Sequence, residues 1–166
     1  MKIFAYGSNM NLNRLKNRVP SAVKISNGFI EGFSLECSKV SKDSSGKATV
    51  IKTDNKDDLV WGVLFEIDEK EKPQLDRAEG LNFGYDESII EVNDGKEFHK
   101  AQIYIANDKS IDVELKPYNW YKAFITEGAK ENRLPIDYVR KLESLNSEKD
   151  NNDERRIKND NILKFK

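Results

Sequence analysis

The sequence predicts an α+β fold, in which a small, mixed and mostly antiparallel β-sheet or barrel is flanked by helices. More segments have the apolar pattern of strands than have the 3.6-residue pattern of helices. The two kinds of segment do not alternate as repeated βαβ units, which argues against a doubly wound parallel sheet. An Asp-Gly pair between two apolar runs adds an antiparallel hairpin. The length of 166 residues fits one domain.

The predicted elements follow one another closely along the chain. A short strand at residues 3–6 leads through the turn Gly7-Ser8-Asn9 into a helix, in which Leu12, Leu15 and Val19 lie near one face. Residues 60–67 have the strongest strand pattern, and the helix at 71–79 stops at Gly80. The remaining predicted strands are 22–25, 29–37, 48–51, 88–92 and 98–105, and the remaining helices are 118–130 and 136–145.

Residues 1–146 form the predicted domain, because the composition changes after them. From Ser147 onward, Lys, Asp, Asn, Glu and Arg dominate. A segment with so little apolar surface to bury favours a polar, disordered C-terminal tail over 147–166. The alternative is a short docked helix with the apolar residues Ile157, Ile162, Leu163 and Phe165.

Composition and charge argue against several kinds of partner. Charged residues make up 34% of the chain, apolar residues 37%, and the formal net charge is −1. No large basic field therefore exists to hold nucleic acid or an anionic membrane. No stretch approaches the ~20 apolar residues of a membrane span, and the N-terminal apolar run is too short for a signal peptide. We expect a cytoplasmic protein, and the sequence leaves a monomer and a homodimer open.

The single histidine and the single cysteine restrict the chemistry. His99 lies in an alternating, strand-like segment, and the surroundings of Cys37 resemble no known nucleophile context. One cysteine cannot form an internal disulfide, and a zinc site needs ligands that the chain hardly has. Ordinary strand positions are the favoured interpretation of both residues, and no metal is expected.

The loop Tyr6-Gly7-Ser8-Asn9-Met10 is the first candidate binding site. It joins a strand to the start of a helix, where consecutive backbone N–H groups can point at one spot and the helix dipole adds positive potential. Such a turn suits a carboxylate or a polarised carbonyl oxygen. The simpler interpretation is a plain turn in which Ser8 or Asn9 caps the helix.

The second candidate is Glu79, which lies four residues after Leu75 and therefore on the same helix face. If Leu75 faces the core, Glu79 faces inward as well, at the negative end of the helix dipole. Burial and the dipole both favour the protonated carboxyl. A carboxyl that holds a proton near neutral pH is suited to general acid–base catalysis. The alternative is a surface side chain that reaches water past Gly80.

Three tyrosines are the remaining candidates: Tyr85, Tyr104 and Tyr121. Each can line a polar pocket and donate a hydrogen bond from its hydroxyl group. Taken singly, each is more typical of a half-buried packing residue.

The segment Phe4-Ala5-Tyr6-Gly7-Ser8-Asn9-Met10 closely resembles the Tyr-Gly-Ser-Asn signature of the gamma-glutamylcyclotransferase family. The resemblance continues in order and covers about residues 3–145. Several motifs in the correct order are far more specific than any one of them. The further matching segments are Pro-Ser-Ala at 20–22, Val-Trp-Gly-Val-Leu-Phe at 60–65, Leu-Asp-Arg-Ala-Glu-Gly at 75–80, Gly-Tyr at 84–85, and the stretches 117–121 and 128–135.

The resemblance implies the family's small mixed α/β barrel and its reaction. In that reaction a γ-glutamyl amino acid or amide closes to 5-oxoproline and releases the amine, without a metal or organic cofactor. Glu79 occupies the position of the catalytic acid/base, and the Tyr6–Met10 loop the position that holds the glutamyl group. Tyr85 and Tyr121 match pocket tyrosines, and Tyr104 matches less closely. Residues 38–47 match poorly, so the resemblance leaves the pocket wall there undefined.

Three other interpretations stay open at this point. The first is a relative of the same fold that is specialised for γ-glutamylamines or for a γ-glutamyl protecting group on a natural product, with the same Glu79 and loop. The second is a small-molecule binding module that kept the fold and lost the reaction. The third is an interaction protein that acts through the tail at 147–166. Deletion of the tail distinguishes it from an enzyme, because an enzyme should keep its catalysis nearly intact.

Overall fold

The computed structural model describes residues 1–164 and contains a closed mixed barrel with helices around it. The barrel order is β1-β5-β2-β6-β7, with antiparallel neighbours except where β1 meets β7 in parallel and closes the barrel. The fold class predicted from the sequence is therefore confirmed. The strands are β1 (Lys2–Ala5), β2 (Val23–Glu31), β3 (Phe33–Val40), β4 (Gly46–Lys52), β5 (Leu59–Glu66), β6 (Tyr85–Asn93) and β7 (Phe98–Ala106).

Strands β3 and β4 form a separate two-stranded hairpin beside the barrel. The predicted strand at 29–37 is divided in the structure, because Gly32 has a φ of +75° and turns the chain from β2 into β3. Few residues other than glycine adopt such an angle. The hairpin brings Lys39 and Ala48 next to the N-terminal loop and β6, and this segment forms part of the candidate site.

Within residues 1–164, five helices lie outside the barrel, and the longest of them is α3, whose buried face packs on the barrel core. Phe65 of β5 and Phe124 of this helix are among the largest fully buried side chains. No helix within residues 1–164 has the length and apolar character that a bilayer span requires. The helices are α1 (Leu12–Lys16), α2 (Lys72–Glu79), α3 (Asn119–Glu131), α4 (Ile136–Glu143) and α5 (Asp153–Lys164).

The prediction of a disordered tail is wrong for residues 153–164, which form helix α5 and contact the domain. The attachment is apolar and polar, because Ile162 and Leu163 pack against the core. In addition, Trp120 Nε1 donates to Asp150 Oδ2 at 2.8 Å, and Arg155 donates to both carboxylate oxygens of Asp150 at 2.6 Å. Ile157 stays 54% exposed. Composition alone favoured disorder because it cannot reveal one buried carboxylate with specific partners. Residues 165–166 lie outside the described residues.

Candidate active site

Glu79 is the last residue of α2, and two neighbours on that helix fix its position. Leu75, one turn earlier, is 0% exposed and anchors the helix in the core. Gly80 follows with a φ of +71°, and its N–H donates to the carbonyl groups of Arg77 and Asp76, which ends the helix. The Glu79 side chain is 16% exposed and lines a cleft rather than the open surface.

The Glu79 carboxylate has two partners, and both contact the same oxygen. Asn9 Nδ2 donates to Oε1 at 2.8 Å, and the Arg18 guanidinium forms an ion pair with that oxygen. Arg18 also donates to Asn9 Oδ1 at 2.9 Å, which closes a triangle of hydrogen bonds. Within residues 1–164, Oε2 accepts no hydrogen bond. One oxygen of Glu79 is thus fixed, and the other is available to a substrate proton.

Arg18 changes the electrostatic argument made from the sequence. The sequence argument considered only burial and the helix C-terminus, whereas the structure adds a guanidinium in direct contact with the carboxylate. An ionised carboxylate accepts a proton at its free oxygen, so the arrangement suits Glu79 as a base first and as an acid after protonation. Sequence reasoning missed Arg18, because its partner is 61 residues away along the chain.

The N-terminal loop lies directly against this carboxylate. Residues Ser8–Met10 form one turn of 3₁₀ helix, and the first N–H groups of such a turn have no carbonyl partner within it. Asn11 is the residue that caps α1, since its side chain accepts from the Arg14 N–H at 3.0 Å. The predicted cap at Ser8 or Asn9 is therefore wrong, and Asn9 is free to contact Glu79.

Met10 is the one predicted loop residue that does not face the cleft. Its side chain is 0% exposed in the core, and its N–H donates to the Gly7 carbonyl at 3.0 Å. The prediction that Met10 contacts substrate is not supported by this geometry. Ser8 is held from outside the loop, because Arg14 Nε donates to Ser8 Oγ at 3.0 Å.

The structure brings together the other sequence-predicted residues around one cleft, here called the first cleft. Ala48 of β4 completes it between two tyrosines: its N–H donates to Tyr121 Oη at 3.0 Å, and its carbonyl accepts from Tyr85 Oη at 2.6 Å. The lining residues are Phe4, Ala5, Tyr6, Gly7, Ser8, Asn9, Ala48, Glu79, Tyr85, Tyr104 and Tyr121.

The four tyrosines of the first cleft differ in what their hydroxyl groups can still do. Tyr6 donates to the Tyr104 carbonyl at 2.5 Å, and Tyr104 donates to Asp76 Oδ1 at 2.6 Å. Both hydroxyl groups, like that of Tyr85, already donate their proton to an acceptor within the protein. Tyr121 accepts from Ala48 and, within residues 1–164, its own proton has no protein acceptor. Burial raises the pKa of Tyr121, so its hydroxyl stays neutral and can donate to a ligand.

A second cleft adjoins the first and shares Ser8, Glu79, Tyr85 and Tyr121 with it. We call it the cationic cleft, because its lining adds four basic side chains. Lys47 pairs with Asp43 at 2.7 Å, and Arg18 pairs with Glu79. Burial, with Arg18 nearby, lowers the pKa of Arg14 to about 10, so Arg14 is still charged at neutral pH. The basic residues are Arg14, Arg18, Lys39 and Lys47.

Neither the cysteine nor the histidine lines the two clefts. Burial raises the pKa of the Cys37 thiol to about 12, so the nucleophilic thiolate is scarce at neutral pH. His99 contacts Lys2 Nζ at 3.1 Å and Asp94 Oδ2 at 2.9 Å. Residues 1–164 contain no group of three or more His, Cys, Asp or Glu side chains arranged to hold a metal ion.

A closed barrel with a sheltered carboxylate beside a donor-rich loop offers a site that suits acid–base chemistry on a small molecule. Comparison with known proteins identifies the family to which such a site belongs in this chain. Residues 59–142 match the AIG2-like family. The gamma-glutamylcyclotransferase of Bos taurus is 33% identical over 150 residues, which cover 86% of this chain and 77% of that protein. The Homo sapiens protein of the same name is 32% identical over 151 residues, with the same coverage.

Solved structures agree with these sequence relatives. A gamma-glutamyl cyclotransferase structure has a TM-score of 0.87 to this chain at 27% identity, and the match covers 99% of this chain and 98% of that one. The chain belongs to the gamma-glutamylcyclotransferase family.

Proposed function

We propose that this chain converts a γ-glutamyl amino acid or γ-glutamyl amide to 5-oxoproline and the free amine, with Glu79 as general acid/base. The observation that carries the proposal is the position of the Glu79 carboxylate. It lies in a sheltered cleft and contacts Asn9 of the N-terminal loop at 2.8 Å, with one oxygen unoccupied by protein donors.

The reaction needs no nucleophile from the protein. The substrate's neutral α-amine attacks its own γ-carbonyl carbon, and the new C–N bond closes a five-membered lactam. Holding amine and carbonyl in attack geometry supplies up to ~7–11 kcal/mol for well-oriented intramolecular reactions. A protein that binds the folded-back glutamyl group therefore contributes much of the rate by positioning alone.

Glu79 moves one proton between the two nitrogens. Oε2 accepts the proton that the attacking amine loses as the C–N bond forms. The protonated carboxyl then gives that proton to the departing nitrogen as the original C–N bond breaks. Glu79 ends in its starting ionised form, and the ion pair with Arg18 stabilises that form again. Asn9 and Arg18 keep Oε1 occupied, so the proton transfers fall on Oε2.

The loop and Tyr121 supply donors for the negative charges of the substrate. The first-turn N–H groups of Ser8 and Asn9 and the hydroxyl of Tyr121 are directed to the α-carboxylate or to the oxyanion that develops on the γ-carbonyl. Tyr85 and Tyr104 shape the wall, since their hydroxyl protons are already committed within the protein. Met10 takes no direct part.

The test is formation of 5-oxoproline from γ-glutamylalanine by the wild type and by Glu79→Gln. Glutamine keeps the shape and an acceptor for Asn9 but cannot take up the proton, so kcat should fall by about 10²- to 10⁴-fold. Glu69→Gln, an exposed glutamate in the turn before α2, is the matched control and should retain full activity. Circular dichroism checks that both variants are folded. Full activity in Glu79→Gln removes this residue from the mechanism.

A panel of γ-glutamyl compounds distinguishes this reaction from that of a relative specialised for γ-glutamylamines or protecting groups. Binding of 5-oxoproline without turnover of any panel member would instead support a binding module. A cytoplasmic location and a monomeric or homodimeric state stay predictions from the sequence.

A further inference from the structure

Lys39 is a buried cation of the cationic cleft that lacks an anionic partner. It lies in β3, is 8% exposed, and its Nζ is 4.7 Å from the centroid of the Tyr85 ring. Within residues 1–164, this ammonium makes no hydrogen bond and no ion pair. Gly84 packs so closely that a Cβ there would be 2.7 Å from Lys39 Cε. The side chain is therefore closely packed, and no carboxylate of the described residues is in direct contact with its charge.

The two carboxylates of the cationic cleft already have partners. Glu79 pairs with Arg18, and Asp43 pairs with Lys47 at 2.7 Å. Neither carboxylate contacts Lys39 Nζ, and both attract its charge only over a longer distance. The cleft thus has more positive than negative side chains, and a ligand is the remaining source of an anion.

The other unpaired cation of the cleft, Arg14, has a structural use for its donors. Its Nε donates to Ser8 Oγ at 3.0 Å, and its Nη1 donates to Asn159 Oδ1 at 3.1 Å. The Lys39 ammonium, in contrast, donates to no acceptor within residues 1–164. A buried ammonium without an anion is destabilising, and the contact with the Tyr85 ring offsets only part of that effect. An anion at Nζ removes the penalty, so the cleft is complementary to an anionic ligand.

We propose that Lys39 binds the carboxylate of the amino acid that is released, and so determines specificity for γ-glutamyl compounds with an anionic leaving group. This inference rests on the proposed function. The first cleft has no basic lining residue and takes the glutamyl half, whereas the cationic cleft begins at the same Glu79. Because Glu79 delivers a proton to the departing nitrogen, the group attached to that nitrogen extends into the cationic cleft.

The experiment compares two substrates that differ only in one charge. γ-Glutamylalanine carries the carboxylate, and γ-glutamylalanine amide replaces it with a neutral carboxamide. The wild type should favour the carboxylate by about 10- to 100-fold in kcat/KM, mostly through KM, as expected for one charge-assisted hydrogen bond. In Lys39→Met the preference should fall to within about threefold, with kcat/KM for the amide little changed. Lys42→Met, an exposed lysine two residues beyond β3, is the control and should behave as wild type.

Thermal unfolding of the ligand-free protein provides a readout other than activity. Lys39→Met removes an uncompensated buried charge, so its Tm should equal or exceed that of the wild type. A lower Tm would identify Lys39 as a structural residue and overturn the proposal.

The kinetic outcomes separate the two proposals. Equal kcat/KM of the wild type for both substrates, or an equal loss on both in Lys39→Met, overturns the role of Lys39 and leaves the proposed function standing. Turnover of neither substrate by the wild type refutes the proposed function, and the inference about Lys39 fails with it.

Discussion

Gly7→Ala adds one methyl group where the N-terminal loop passes closest to β4. The φ of Gly7 is −113°, so no left-handed backbone is involved, and the available space decides the effect. A Cβ at this position would be 3.0 Å from Ala48 Cβ and 3.6 Å from Tyr121 Oη. Carbon atoms in favourable contact are about 3.5–4.0 Å apart. The loop and β4 must therefore separate by about half an ångström or more.

The magnitude follows from this required separation. Overpacking of a well-packed site costs about 1–3 kcal/mol. For a chain of this length, each kcal/mol shifts Tm by about 2–4 °C, so Gly7→Ala should lower Tm by about 2–12 °C. Displacement near reacting atoms can cost up to about 10²-fold in rate. We expect kcat/KM to fall by about 10- to 100-fold under conditions in which the variant is fully folded.

A double-mutant cycle with Ala48→Gly tests whether the contact is the cause. Ala48→Gly alone removes a buried methyl group and adds backbone freedom, so it destabilises in its own right. In the double variant the new methyl group occupies the space of the removed one, and Tm and kcat/KM should exceed the values expected from the two single changes. Thermal unfolding and 5-oxoproline formation measure both effects. Strictly additive changes would refute the contact as the cause.

Two further predictions concern α5. Asn159→Ala removes the acceptor of Arg14 Nη1, so kcat/KM should fall by about 3- to 10-fold in a folded protein, whereas exposed Asn161→Ala should match wild type in the same assay. Hydrogen bonds from Arg155 hold the pKa of Asp150 well below its usual range. The ionised Asp150 therefore stabilises the folded protein fully above the ordinary Asp pKa, and this contribution declines as the pH falls below about 4. Emission of Trp120, which donates to Asp150, should change over that acid range, and an unchanged spectrum down to unfolding would contradict this prediction.

Hydrophobic periodicity predicted most of the barrel and its surrounding helices. The strand at 60–67 and the helix at 71–79 occur within a residue of their predicted bounds, as β5 and α2 with its preceding turn. Apolar runs do not reveal where a strand is interrupted by backbone geometry, and the turn at Gly32 was missed for that reason. The first helix is shorter than predicted, because it ends at Lys16 although Val19 is also buried.

Contacts between distant residues explain what the sequence did not predict about the candidate site. The i to i+4 relation of Leu75 and Glu79 is local, so the sequence could predict an inward-facing Glu79 on the condition that Leu75 faces the core, which the structure meets. The Arg18 ion pair joins residues 61 apart, and no local pattern encodes it. Lys39 lies in the stretch that had no clear motif. It lacks a direct carboxylate contact because Asp43 pairs with Lys47 and Glu79 pairs with Arg18.

The tail shows how a segment with an ordinary polar composition becomes part of the site. Asn159 of α5 accepts from Arg14, and Arg14 in turn donates to Ser8 of the loop. The Arg14 guanidinium also lies 4.4 Å over the Phe124 ring of α3, which restricts its position further. A hydrogen-bonded chain thus runs from the tail to the loop beside Glu79. For this reason deletion of residues 153–166 should lower catalysis. The expectation from composition was that an enzyme would tolerate this loss. Deletion of the tail therefore does not distinguish an enzyme from an interaction protein.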